Sequence, residues 1–212
     1  MKILELFCGT KSISKVFKEK GHEVLTIDNN PSHKPDICID ILKLNKLKFK
    51  PDIIWASPPC QTFSMAGNGN NYTNFMPNNV NAALGLAYVL KTIEIIKELK
   101  PKYWFIENPM GCLRKFPFML KFHRNTVTYC QYGDKRMKPT DIWTNCSAWI
   151  PKKRCKNKDN CHEAAPRGSK TGTQGLANDI ERGVIPKELC EEIEKICHNA
   201  KEMPKQATLN GL

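Results

Sequence analysis

The sequence predicts an α/β chain: a mostly parallel sheet covered by helices on both faces, with a small irregular insert. Three observations carry this. Strand and helix signals alternate over the first 110 residues. The strand candidates are short apolar runs, and most of them end in an acid, a cysteine or a tight turn. Between Cys146 and Leu176 periodicity disappears, leaving mainly Lys, Cys, Gly, Pro and Asn.

In chain order, Ile3 to Phe7 reads as a strand and Cys8-Gly9-Thr10 as a turn. Ser12 to Lys20 has helical spacing (Ile13, Val16, Phe17), and Gly21 stops it. Glu23 to Asp28 and Asp36 to Asp40 are strands ending in acids. Asp52 to Ser57 is the fourth strand, closed by Pro58-Pro59 and followed at once by Cys60. Ser64 to Pro77, rich in Gly and Asn, reads as a mobile loop. Asn79 to Leu99 is a helix with Leu84, Leu86, Val89, Leu90, Ile93 and Ile96 at helical spacing. Tyr103 to Glu107 is a fifth strand, and Thr126 to Gln131 and Asp141 to Thr144 are further ones. Pro186 to Ala200 is a last amphipathic helix. The domain division is 1–145 for the α/β domain, 146–176 for the insert, 177–200 for a helix completing the domain, and 201–212 for a tail.

Composition narrows the function classes. No run of 18 apolar residues predicts a membrane span, and the N-terminus does not read as a signal peptide, so a cytoplasmic protein is expected. Ten cysteines in such a chain read as reduced thiols. Cys38, Cys112, Cys190 and Cys197 lie among apolar residues and read as small buried hydrophobes. Thirty-three Lys and Arg against 21 acids give a formal charge of +12, which favours a polyanionic partner. The excess concentrates between Lys135 and Lys158.

Open α/β sheets keep their chemistry in the crevice beyond the carboxyl ends of the strands. Cys60 stands there and is a candidate nucleophile. Glu107 ends strand five. Gly9 and Thr10 begin a helix whose N–H groups can meet an anion. Asp28 is placed as the acid that accepts ribose hydroxyls, and Asp40 ends strand three.

With these residues in this order, the sequence resembles the DNA cytosine-5 methyltransferase family. The matching segments are Leu6-Phe-Cys-Gly9, Asp28, Asp40-Ile41, Ser57-Pro-Pro-Cys60-Gln-Thr-Phe-Ser64 and Phe105-Ile-Glu107-Asn108. Gln131 to Thr140 stands in the place of the family's basic segment at the DNA backbone, and Arg182 onward resembles its closing helix. The resemblance implies a Rossmann-like S-adenosylmethionine-dependent methyltransferase fold. It implies transfer of a methyl group from S-adenosyl-L-methionine to carbon 5 of a flipped-out cytosine in double-stranded DNA. The same reaction on tRNA, or a silent nucleic-acid-binding relative, is the alternative. Cys60, Glu107, Gln61 and Asn108 are the catalytic candidates. Phe7, Gly9, Thr10, Asp28, Asp40, Ile41 and Pro59 are the cofactor candidates. Ser64, Arg136, Lys138, Thr140 and Arg167 are the nucleic-acid candidates. A monomer is expected.

Three features depart from the family pattern. Lys11 stands where a second glycine is usual, and Pro109 where valine is usual. The region 146–176 is far shorter than the family's target-recognition domain, which predicts loose sequence specificity. No metal is assigned. Cys146, Cys155, Cys161 and His162 form a candidate zinc set that would hold a loop lacking its own core, although their spacing is not a standard Cys-x-x-Cys pair.

Overall fold

The computed structural model describes residues 1–64, 71–156, 159–163 and 179–199. The sheet strands in chain order are β1 (Lys2–Leu6), β2 (Glu23–Asp28), β3 (Ile37–Cys38) and β4 (Ile53–Ala56). A small separate hairpin, β5 (Tyr72–Thr73) and β6 (Met76–Pro77), follows. Then come β7 (Tyr103–Pro109), β8 (Arg124–Thr128) and β9 (Pro139–Thr144). The helices are α1 (Ser12–Glu19), α2 (Val80–Leu99), α3 (Asp179–Gly183) and α4 (Lys187–Asn199).

The seven-stranded sheet has the order β3-β2-β1-β4-β7-β9-β8. Pairing is parallel from β3 through β7, and β9 runs antiparallel to both of its neighbours. The direction of winding reverses between β1 and β4. The crevice outside their carboxyl ends is where such sheets bind ligands.

Both sheet faces are apolar because both are covered. Successive residues alternate sides. Ile3, Ile53, Trp55 and Phe105 share one core with Ile13 and Phe17 of α1 and with Leu189, Cys190 and Ile193 of α4. Leu4, Leu6, Ile54 and Ile106 share the other with Val89, Ile93 and Ile96 of α2. Leu84 and Leu90, expected on the buried stripe of α2, are instead 42% and 47% exposed. α1 ends at Gly21, whose φ of +78° brings its N–H to the Lys18 carbonyl at 3.0 Å and that of His22 to Phe17 at 3.0 Å.

Further expectations change. The strand read over Thr126 to Gln131 spans Arg124–Thr128 and gives way to a 3-10 turn over Tyr129–Tyr132. The third strand shrinks to two residues because its flanking acids are spent on backbone. Asp36 accepts from the N–H and hydroxyl of Thr26, and Asp40 caps a 3-10 turn by accepting from the N–H of Leu42. The Ser64–Pro77 stretch is not loop throughout, since it contains the β5–β6 hairpin. Cys38, expected buried, is exposed and belongs to the edge strand. Among the described residues no helix is long and apolar enough to cross a membrane.

Candidate active site

β1 and β4 end side by side, with Leu6 opposite Ala56, so the turn after one faces the loop after the other. The turn after β1 has left-handed backbone at Phe7 (φ 56°), Gly9 (φ 44°) and Lys11 (φ 56°). Lys11, in the place of a usual glycine, takes that conformation with a side chain attached. Its amine donates to the carbonyl of Lys34 across the mouth of the turn. Gly9 N–H donates to Asp28 Oδ2 at 3.0 Å, and Asn30 N–H to Asp28 Oδ1 at 2.9 Å. Thr10 shares a hydroxyl hydrogen bond with Ser12 at the start of α1 (2.8 Å).

Asp40 Oδ2 accepts from the Tyr88 hydroxyl at 3.2 Å, and the Tyr88 ring meets Phe7 edge-on at 5.7 Å. Ile41 is buried beside them. Close by, a cavity of about 460 Å³ is lined by residues including Pro59, Gln61, Leu84, Gly85 and Tyr88. That size suits a small-molecule ligand. The donor set suits S-adenosyl-L-methionine. Flat apolar groups can cover an adenine, and the carboxylates keep lone pairs for hydroxyl or amino protons beyond those already engaged, since each has about four acceptor positions.

Cys60 is held from three directions. Asn108 Nδ2 donates to the Pro58 carbonyl at 3.0 Å, two residues before the thiol. The N–H groups of Phe63 and Ser64 return to the Cys60 carbonyl at 3.0 and 3.1 Å. Phe63 is fixed in turn by Cys112 N–H on its carbonyl at 2.9 Å and by its ring stacked on Tyr72 at 5.4 Å. Glu107 stands one step beyond the Ala56–Ile106 pair of β4 and β7. It is 6% exposed, and the Tyr129 hydroxyl donates to its Oε1 at 3.2 Å. Burial pushes the Cys60 thiol above its ordinary range, and the Glu107 charge adds to this. The Lys138 ammonium acts in the opposite direction.

Lys138, expected at the DNA backbone, is therefore turned inward. Its Nζ lies 4.7 Å over the Tyr129 ring and donates to the Arg182 carbonyl at 2.8 Å. Burial lowers its pKa, while the charges of Glu107 and Cys60 oppose that drop. Arg136 and Thr140 are also not where a phosphate contact needs them. Arg136 is 6% exposed and forks onto Asp134 and the carbonyls of Glu181 and Val184. Thr140 is fully buried in β9, its hydroxyl donating to the Lys138 carbonyl at 3.2 Å. Gln61 is exposed at the cavity, and Ser64 is half-buried with its hydroxyl donating to the Gln61 carbonyl at 3.2 Å. Arg167 lies outside the described residues.

Tyr129 and Gly111 were not singled out from sequence. Tyr129 has no local pattern that distinguishes it from a core aromatic. Gly111 follows the Glu107-Asn108-Pro109 segment, and a Cβ built on it would fall 2.1 Å from the Phe63 carbonyl oxygen. The zinc set also changes. Cys155, Cys161 and His162 do meet, but their fourth neighbour is Cys130. Cys146 is 1% exposed in the core shared with Trp149 and α4.

The model of the family described as C-5 cytosine-specific DNA methylase matches residues 1–116, which span both crevice turns and the Cys60 and Glu107 segments. The chain belongs to the C-5 cytosine-specific DNA methylase family. A protein of Frog virus 3 (isolate Goorha) named "Probable DNA (cytosine-5)-methyltransferase" is 32% identical over 173 residues, covering 76% of this chain and 78% of that one. The type II methyltransferase M.HgiGI of Herpetosiphon aurantiacus is 27% identical over 124 residues, covering 51% of this methylase and 90% of that protein. Among solved structures, a prophage-encoded protein titled "putative DNA modification methyltransferase" (E. coli) superposes with a TM-score of 0.51 at 15% identity. That match covers 68% of this chain and 46% of the other, so the methylase spans about half that structure's length. At this identity the likeness speaks to the fold, which is that of S-adenosylmethionine-dependent methyltransferases.

Proposed function

We propose that this family member methylates carbon 5 of cytosine in double-stranded DNA, with Cys60 as the nucleophile. The observation that carries it is the placement of Cys60, Glu107 and Lys138 together at the carboxyl ends of β4 and β7. These lie beside the Asp28–Asp40 side of the crevice. Phe7, Gly9, Thr10, Asp28, Asp40, Ile41 and Pro59 would hold S-adenosyl-L-methionine. When bound, that cofactor supplies an electrophilic methyl group on a sulfonium.

Carbon 5 of cytosine is a poor nucleophile in an aromatic, electron-poor ring. The Cys60 thiolate adds to carbon 6, forming a C–S bond and moving electron density to carbon 5, which can then take the methyl group. Glu107, acting in its protonated form, faces ring nitrogen 3 and delivers its proton there as the negative charge develops. Tyr129 fixes the orientation of that carboxyl group. Lys138 contributes a cation close to the same charge. Asn108 keeps Pro58, and so Cys60, in place. The proton on carbon 5 leaves to water, the C–S bond breaks, and the ring regains aromaticity. Residues 1–145 and 177–200 would form one catalytic domain, with 146–176 as a minimal target-recognition insert, in a cytoplasmic monomer.

The test is incubation with labelled S-adenosyl-L-methionine and either duplex DNA or tRNA, followed by mass spectrometry of nucleosides. 5-Methylcytosine in the DNA arm is expected, and label confined to tRNA would reassign the substrate. Cys60→Ala should abolish transfer while calorimetry still records cofactor binding. Full activity in that variant would refute the nucleophile.

A further inference from the structure

We propose that Cys130, Cys155, Cys161 and His162 form a tetrahedral zinc site that fastens the irregular insert to the end of β8. The proposal stands apart from the methyl-transfer reading. One ligand atom from each residue lies within 4.8 Å of all the others. Cys130 Sγ is 3.2 Å from Cys155 Sγ and 3.6 Å from Cys161 Sγ. His162 Nδ1 is 3.8 Å from Cys155 Sγ and 3.6 Å from Cys161 Sγ. With Zn–S near 2.3 Å and Zn–N near 2.0 Å, the edges of a tetrahedral site are about 3.5–3.8 Å. Three of these separations match those edges to within about 0.3 Å, and the Cys130–Cys155 pair, at 3.2 Å, is closer than its edge by about half an ångström.

The backbone around the cluster is organised to present it. Cys155 N–H donates to Thr128 Oγ1 at 3.0 Å, which draws the insert onto the last residue of β8. Near Cys155, Lys156 N–H donates to Asp159 Oδ2 at 2.6 Å and Asp159 N–H to the Lys156 carbonyl at 3.1 Å. Directly after His162, Glu163 N–H donates to the Lys135 carbonyl at 2.9 Å. Gln131 Nε2 lies 3.2 Å from Cys161 Sγ and can donate to it, the kind of outer contact that orients a metal-bound thiolate.

The chemistry favours zinc over a hard cation. Three sulfurs and one imidazole are soft or intermediate ligands, whereas Mg²⁺ and Ca²⁺ select oxygen. Three thiolates, a neutral histidine and Zn²⁺ sum to one negative charge. Lys152, Lys153, Arg154 and Lys156 stand in the same segment to balance it. Cys130 and Cys155 are 7% and 6% exposed, although the segment has little apolar core of its own. A metal would supply the missing core. It would also clamp Cys130, the neighbour of the Tyr129 that holds Glu107.

The experiment is elemental analysis of the full chain purified in reducing buffer without chelator, where about one zinc per protein is expected. Cys161→Ala and His162→Ala, at sites with little core packing, should lower zinc at least several-fold. The exposed Cys38→Ser control should keep it. Cobalt added to chelator-stripped wild-type protein should give thiolate charge-transfer and tetrahedral d–d absorption, a readout that needs no variant. Zinc below about a tenth of an equivalent together with no cobalt spectrum would overturn the site. So would peptide mapping that finds a Cys130–Cys155 disulfide in protein kept reduced.

Discussion

The thiol of Cys60 lies between opposing influences, and their balance sets how much thiolate is available. Burial and the charge of Glu107 raise its pKa, and the Lys138 ammonium lowers it. Lys138 is itself disfavoured as a cation by burial, so it keeps its charge largely through those same neighbours. Removing it should move the thiol further up. In Lys138→Met the ascending limb of kcat/KM against pH should therefore move to higher pH. At a fixed pH on that limb, activity should drop about tenfold for every pH unit that the limb moves. Lys138→Arg should return most of it. A profile unmoved in Lys138→Met would show that the cation does nothing for the nucleophile. The positions of Cys60, Glu107 and Asp28 were legible in sequence because each stands at or just past a strand end beside a turn or proline. The inward turn of Lys138 was not. A lysine in a basic stretch looks the same whether it meets a phosphate or a buried carboxylate, and only the packing of β9 against β7 distinguishes them.

At the scale of elements, the loop carrying Cys60 is fixed to the turn after β7. Cys112 N–H reaches the Phe63 carbonyl, and Gly111 passes so close to that oxygen that no side chain fits between. The φ of Gly111 is −159°, so the constraint is space and not backbone conformation. Gly111→Ala must push the Phe63 carbonyl away and with it the Cys60 turn. It should cost about 1–3 kcal/mol, the usual cost of overpacking, and lower kcat more than cofactor affinity. Urea unfolding and steady-state rates would measure both effects. Unchanged stability and rate would mean that the loop moves freely. The long elements, β1, β2, β4, α1 and α2, could be read from sequence because their periodicity is local. β3 could not, since Asp36 and Asp40 resemble strand ends but serve as partners for backbone N–H groups. The β5–β6 hairpin escaped notice in a Gly- and Asn-rich stretch. What holds it is the stacking of Tyr72 on Phe63 and its edge-to-face contact with Phe116, which no local pattern reports. The cysteine cluster shows the same limit. Cys130 precedes Cys155 by 25 residues, so ligand spacing drew attention to Cys146 instead.

For the whole molecule, a formal charge of +12 is combined with the stretch 146–176, which we propose as a target-recognition insert and which is too short to offer many base-reading side chains. Two residues expected on phosphates, Arg136 and Thr140, are buried in structural roles. The electrostatic contact must then come from elsewhere on the surface. Lys153, Arg154 and Lys156 are exposed on the segment that the zinc cluster would brace. Arg154 reaches Met110, just past the strand that carries Glu107. This places the basic segment beside the reaction centre, where it can track a backbone without reading sequence. Each phosphate neutralised on a duplex contributes about −0.9 to the slope of log affinity against log salt. Replacing all three residues with Gln should make that slope shallower by about 2–3 and weaken binding at low salt. The ratio of affinities for unrelated duplexes should stay constant, because phosphate contacts carry no sequence information. Fluorescence anisotropy over a salt series with two duplexes would test this. An unchanged slope would place the phosphate contacts on another face. A changed ratio would show that these residues read bases after all.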